Sequence, residues 1–172
     1  IPLEVRIDSK DPHRILGEIQ CKGDAVMIGY YQNEEATKAT FTKDGWLKTG
    51  DMGIIDRKGN IFIKGRCKNM ILSASGQNIY PEEIEDQINN LPYITESLVV
   101  GRKNALVALI VADYDAAKKD GHSKEAANEI INQSVKELNK ALPPYSQISV
   151  CEMRDEPFEK TPKQSIRRFM YS

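Results

Sequence analysis

Three cysteines and two histidines are all that 172 residues offer to a disulfide or a soft metal, and neither type is clustered. Cys21, Cys67 and Cys151 stand far apart, no Cys-x-x-Cys occurs, and His13 and His122 fall in unrelated stretches. This argues against a zinc site and a disulfide scaffold, and for a reducing, cytoplasmic setting. Long apolar runs are missing too. The longest, Ala105 to Ala112, is far short of the roughly 20 residues that span a bilayer, so no transmembrane segment is expected, and no signal peptide is visible. Neither charge sign dominates: 24 Lys and Arg against 25 Asp and Glu leave a net charge of -1, so no bulk attraction to nucleic acid is expected. Low-complexity tracts are absent, and 40% hydrophobic with 28% charged residues describes a globular chain, one ordinary domain or two small ones. An initiator Met is lacking as well; the chain opens in mid-pattern at Ile1-Pro2-Leu3-Glu4-Val5 and reads as a piece of a longer protein.

What is present concentrates between Gly45 and Met70, GWLKTGDMGIIDRKGNIFIKGRCKNM. Gly53–Asp56 and Ile61–Lys64 read as two strands joined by the turn Arg57-Lys58-Gly59-Asn60, with Gly59 at positive φ. A four-residue loop pairs 56 with 61, 55 with 62, 53 with 64 and, by the same arithmetic, Asp51 with Arg66. A three-residue loop would shift this register by one and weaken the pairing. The pair admits two readings: a surface ion pair, or an acceptor and a donor fixed on rigid strands. In the second, the carboxylate takes two hydroxyls of a vicinal diol while the guanidinium donates to ribose or phosphate oxygens.

The order of GEIQCKGDAVMIGYY (17–31), DGWLKTGD (44–51) and GRCKNMILSASGQNIYPEEIE (65–85) resembles the AMP-forming acyl-CoA synthetases of the adenylate-forming superfamily, over nearly the whole chain. SGQNIYPEEIE and the tail FEKTPKQSIRRF are most similar to bacterial long-chain fatty-acid–CoA ligases. The resemblance implies an enzyme that joins a fatty acid to ATP, giving acyl-AMP and pyrophosphate, and then to CoA. Asp51 matches the aspartate that holds the ribose hydroxyls of ATP or AMP, and Arg66 the arginine beside it. Lys68 falls on the hinge between the large domain and a mobile lid. Ser75-Gly76-Gln77 falls where the backbone lines the pantetheine tunnel, and Gly76 would let a ligand approach the main chain. The phosphate loop, the acyl pocket and the glutamate that binds Mg2+ belong to the large N-terminal domain and are not in this sequence. The implied chain is therefore the last third of such an enzyme, inactive in isolation: residues 1–67 as the β-rich end of the large domain, 68–172 as the lid. Two other outcomes stay open, transfer of the acyl-adenylate to a carrier-protein thiol and a non-catalytic AMP-binding regulatory module.

The expected fold class is α+β. Glu4–Ile7 and Gly17–Lys22 read as strands and Asn33–Ala39 as a short helix, with little core in this half. Pro81 opens a helix with Ile84, Ile88 and Leu91 on one face and its acids, Glu82, Glu83, Glu85 and Asp86, in solvent. Ser97–Val100 and Ala105–Val111 read as buried strands, Ser123 caps a helix to about Leu142, and Gln147–Cys151 is a third strand with Ile148 and Val150 facing one way. About three strands and two helices result. Arg102 and Lys103 are solvated charges or contacts to CoA phosphates, and Trp46 packs in a core or shapes the nucleotide pocket.

In the tail the family pattern is Lys-Thr, two variable residues, then Gly-Lys, the lysine stabilising charge that builds up in adenylation. Aligned on Lys160-Thr161 and Ile166-Arg167-Arg168, the glycine position is Gln164 and the lysine position is Ser165. Lys163 is taken as the replacement cation; the alternatives are an adenylation that depends less on the tail, Arg167 or Arg168 as substitutes, and, most plainly, a basic tail in solvent.

Overall fold

A computed structural model of the chain describes residues 2–171, which divide into two compact units, one running to Asn69 and the other starting at Met70. The first is a meander. Strands β1 (Glu4–Asp8), β2 (Gly17–Lys22), β3 (Leu47–Ile55) and β4 (Ile61–Arg66) lie antiparallel in chain order. Helix α1 (Glu34–Thr40) occupies the β2–β3 connection, capped by the Asn33 side chain on the Ala36 amide. Among the described residues of this unit, only Ile7 and Ile19 are buried hydrophobic side chains, as the sparse core implied. Glycine sets the close approaches: a Cβ on Gly17 would meet the Asp8 carbonyl oxygen at 2.2 Å.

The β3–β4 turn corrects the expected register. Asp56 and Asn60 exchange a backbone bond (2.9 Å) around a three-residue loop, Arg57-Lys58-Gly59, with Gly59 at φ 86°. Ile55 therefore faces Ile61 and Gly53 faces Ile63, one residue out from the four-residue arithmetic. Past Gly53 the ladder steps one residue on β3 but two on β4, and this bulge at Lys64 restores the pairing of Met52 with Gly65 and of Asp51 with Arg66. Two shifts of opposite sense cancel.

The second unit is built around a three-stranded sheet of order β7-β8-β9: β7 (Ile94–Arg102), β8 (Ala105–Ala112) and β9 (Ile148–Arg154). A tight turn at Lys103 and Asn104, both at positive φ (48° and 63°), joins β7 to β8, and β9 runs parallel to β8. Helices α2 (Pro81–Ile88) and α4 (Lys124–Ala141) cover one face, packing Ile84, Ile88, Ile131 and Val135 on Val99, Ala108, Ile110 and Ile148. The opposite face, with Leu98, Val100, Val107, Leu109 and Val111, is closed by Phe158, Ile166 and Tyr171 of the C-terminal tail. Being covered on both sides explains why β8 is apolar at every position. A small ladder of β5 (Ile71–Leu72) with β6 (Asn78–Ile79) and the short helix α3 (Tyr114–Lys119) complete the unit, two features beyond the expected three strands and two helices.

Two further expectations are corrected. Val150 does not face the same way as Ile148: the ladder slips between Leu106 and Val107, so Ile148 is buried and Val150 is half exposed. Glu85 is not a solvated helix acid; it is 7% exposed. The plain alternative of a basic tail in solvent does not hold for the tail's apolar side chains: Phe158 is buried, and Ile166 and Tyr171 pack against the same cluster.

Candidate functional site

Asp51 and Arg66 meet on the first unit, Arg66 Nη1 donating to Asp51 Oδ1 at 2.6 Å. Irregular backbone on both sides aims them. Between Gln20–Lys48 and Glu18–Met52, β2 advances two residues while β3 advances four, so Thr49-Gly50-Asp51 bulges outward. The bulge is tied down: Thr49 Oγ1 donates to the Ile19 carbonyl (2.7 Å), the Gly50 amide donates to Glu18 Oε1 (3.0 Å), and Gly50 takes φ 75°. Bulges redirect side chains without loosening a sheet. The side chains are 27% (Asp51) and 46% (Arg66) exposed, so the pair stabilises the fold by about 0–1 kcal/mol at most. An acid and a base held this firmly for so little stability are free to be used on a ligand. Beside them, burial first, then the Glu18 and Asp51 carboxylates, push the Cys67 thiol above its usual range, which keeps it protonated and unreactive. Trp46 is not core; the Arg6 guanidinium lies over its ring at 4.4 Å.

Lys68 is exposed in a single 3-10 turn, Cys67–Asn69, just before the boundary between the units. On the second unit, the β5–β6 loop and the β7–β8 turn border a groove of about 530 Å³. Ser75, Lys103, Gly101, Tyr145 and Ser149 are among its walls; Gly76 and Gln77 are not. Gly76 has a backbone reason of its own, φ 78° at the third position of a three-residue loop closed by Ser73 and Gln77 (2.9 Å). A Cβ there would meet nothing within 4 Å. Of the two cations on the β7–β8 turn, Arg102 is bound to Glu152 and to the Tyr171 carbonyl oxygen, leaving Lys103 to the groove.

The tail sorts its cations. Lys160 Nζ binds Glu96 Oε1 at 2.8 Å, and Arg168 binds Glu85. Lys163 and Arg167 are exposed, and Lys163 makes no ion pair among the described residues. Lys163 stands at the tip of a three-residue loop, Pro162-Lys163-Gln164, closed by the Thr161 amide on the Ser165 carbonyl (2.8 Å). Gln164 takes φ 61°, the conformation a glycine adopts freely and other residues at a cost. Ser165 is exposed, in the closing pair of that loop. Arg168 is paired with Glu85 and is less exposed than Lys163 or Arg167. Sequence reasoning missed that pairing, although Glu85, three residues before Ile88, lies within the apolar stripe of α2.

Residues 68–171 match the AMP-binding enzyme C-terminal domain family. The chain belongs to that family. Through it the chain is a member of the adenylate-forming superfamily. The long-chain-fatty-acid–CoA ligase FadD15 of Mycobacterium tuberculosis is 34% identical over 172 residues, covering 88% of this chain and 28% of its own. The sulfoacetate–CoA ligase of Cupriavidus necator is 35% identical over 116 residues, 67% of this chain and 23% of its own. Among solved structures, the o-succinylbenzoate CoA synthetase MenE of Bacillus subtilis, in complex with its acyl-adenylate OSB-AMP, superposes with a TM-score of 0.79 at 27% identity, covering 99% of this chain and 34% of that one. The chain thus spans under a third of the curated relatives named. Among the described residues no three His, Cys, Asp or Glu side chains converge to hold a metal ion, and no helix is long and apolar enough to cross a membrane.

Proposed function

We propose that this chain is the C-terminal part of an AMP-forming acid–CoA ligase whose acid is a long-chain fatty acid. The whole enzyme joins carboxylate and ATP into acyl-AMP and pyrophosphate, and CoA thiolate then displaces AMP. The fixed Asp51–Arg66 pair carries the reading. Asp51, held at the tip of a bulge with its backbone already bonded, accepts the two ribose hydroxyls; Arg66 donates to the oxygens beside them. Lys163, the exposed cation of the tail loop, supplies positive charge to the carboxylate and α-phosphate as negative charge grows. Lys68 is the pivot between the two half-reactions, and Ser75-Gly76-Gln77 with Lys103 borders the path of CoA. The long-chain acid is supported by the relative that matches 88% of the chain; relatives acting on other acids match shorter stretches. Magnesium is assigned to the large domain, and no residue here is given that role.

The full-length enzyme tests this. With Asp51→Ala, AMP affinity by calorimetry is expected to fall about 100-fold or more, two charge-assisted hydrogen bonds being worth about 1.5–3 kcal/mol each. The unfolding free energy should shift by no more than about 1 kcal/mol. Unchanged AMP affinity would remove the nucleotide role. A second reading, an AMP-binding regulatory module without ligase activity, is favoured by one observation, Ser165 at the position of the family lysine. Acid-dependent pyrophosphate exchange that survives in the parent and is lost in Lys163→Ala excludes it.

A further inference from the structure

The edge of the second unit's sheet carries a device the proposed chemistry does not use. β7 is an outer strand, and at Val99 its backbone turns away from β8. Among the described residues no strand meets it there. Instead Glu85 Oε1 of α2 accepts the Val99 amide at 2.6 Å, and Arg168 Nη1 of the tail donates to the Val99 carbonyl at 3.4 Å. The two side chains are ion-paired through Glu85 Oε2 and Arg168 Nη2, with Glu82 Oε1 at 3.9 Å from the same nitrogen. Together they present to the backbone N–H and C=O of one residue the acceptor and donor that a neighbouring strand would present. Their side chains are 10% and 20% exposed, and burial, outweighing Arg168, pushes the Glu85 carboxyl above its usual range.

We propose that Glu85 and Arg168 are positioning residues: a clasp that anchors the tail to the β7 edge and so holds the 161–165 loop, with Lys163 at its tip, ready for the adenylation step. Arg168 lies three residues past Ser165, where the loop closes, and the Arg167 amide bonds back to the Glu159 carbonyl (2.9 Å), so the anchor and the loop belong to one short hairpin. The other end of that hairpin is held by Lys160 on Glu96 and by Phe158 in the core. A loop fixed at both ends keeps its tip where the fold puts it, whereas a loop fixed at one end sweeps a volume.

The proposal rests on the ligase reading, and its test separates the two. In the full-length enzyme, Glu85→Gln keeps the acceptor for Val99 and removes the charge, and Arg168→Lys keeps the charge and removes the fork. Glu85→Gln is expected to raise amide exchange at 160–167 at least tenfold and to lower acid-dependent ATP–pyrophosphate exchange at least tenfold. Transfer from preformed acyl-AMP to CoA should change less than threefold, and Arg168→Lys should keep part of the adenylation that Arg168→Ala loses. Tail amides exchanging as in the parent, or both half-reactions falling together, would overturn the clasp. Pyrophosphate exchange intact in Lys163→Ala but lowered in Glu85→Gln would instead reject Lys163 and leave the clasp standing.

Discussion

The two sheets of this chain are opposites. The first, β1–β4, buries two apolar side chains and leaves Ile61, Phe62 and Ile63 in a row at 39–66% exposure. The second, β7–β9, is covered on one face by α2 and α4 and on the other by the tail, with Leu98, Ala108, Ile110 and Ile131 fully enclosed. Hydrophobic stabilisation follows apolar area removed from water, so the second unit has the means to fold by itself and the first does not. The Asp51–Arg66 pair sits on the sheet with the smaller core, where it is held by bulges and hydrogen bonds rather than by packing.

The largest test of this contrast is to separate the units. A fragment of residues 70–172 is expected to melt in one cooperative transition by circular dichroism, and residues 1–69 to show none; a sharp transition in the latter would break the comparison. Within the folded chain, Ile131→Ala should cost about 2–5 kcal/mol in chemical denaturation, as a cavity in a closed core does. Ile63→Ala, at 66% exposure, should stay within about 0.5 kcal/mol. The smallest effects sharpen a feature both units share. Four three-residue loops close alike, at Thr42–Trp46, Asp56–Asn60, Ser73–Gln77 and Thr161–Ser165, each with the first side chain bonding the last amide. Three carry glycine at the left-handed position (Gly45, Gly59, Gly76) and the fourth carries Gln164. Changing Gly59 or Gly76 to Ala should cost about 1 kcal/mol. Gln164→Gly should move stability by less than about 0.5 kcal/mol, since relief of strain is offset by a more flexible unfolded chain.

Much of this was readable in advance where a residue type admits one conformation. Pro81 at a helix start, Ser123 as a cap, and Gly59 in a hairpin turn each placed an element correctly. The pairing of Asp51 with Arg66 was expected, yet reached by the wrong count. Loop length and bulge each move the register by one, and no residue in Met52-Gly53 or Lys64-Gly65 announces which is present. Glu85 was misread because an acid near a helix start favours solvent by default; only its position in the stripe of Ile84 and Ile88 pointed inward. In the tail, the four basic residues from Lys160 to Arg168 drew the reading toward charge, and the apolar pattern of Phe158, Ile166 and Tyr171 went unread. Lys163 and Ser75-Gly76-Gln77 were singled out by the resemblance, where periodicity alone offered nothing, and the groove beside Ser75 came only with the structure.

The occupied peptide at Val99 has a bearing on solubility. Outer strands are where one protein molecule can add itself to the sheet of the next, and buried charge is a strong deterrent to that. By filling mid-β7 with a carboxylate and a guanidinium, the chain closes this border with groups that an incoming backbone could displace only by stranding both ions.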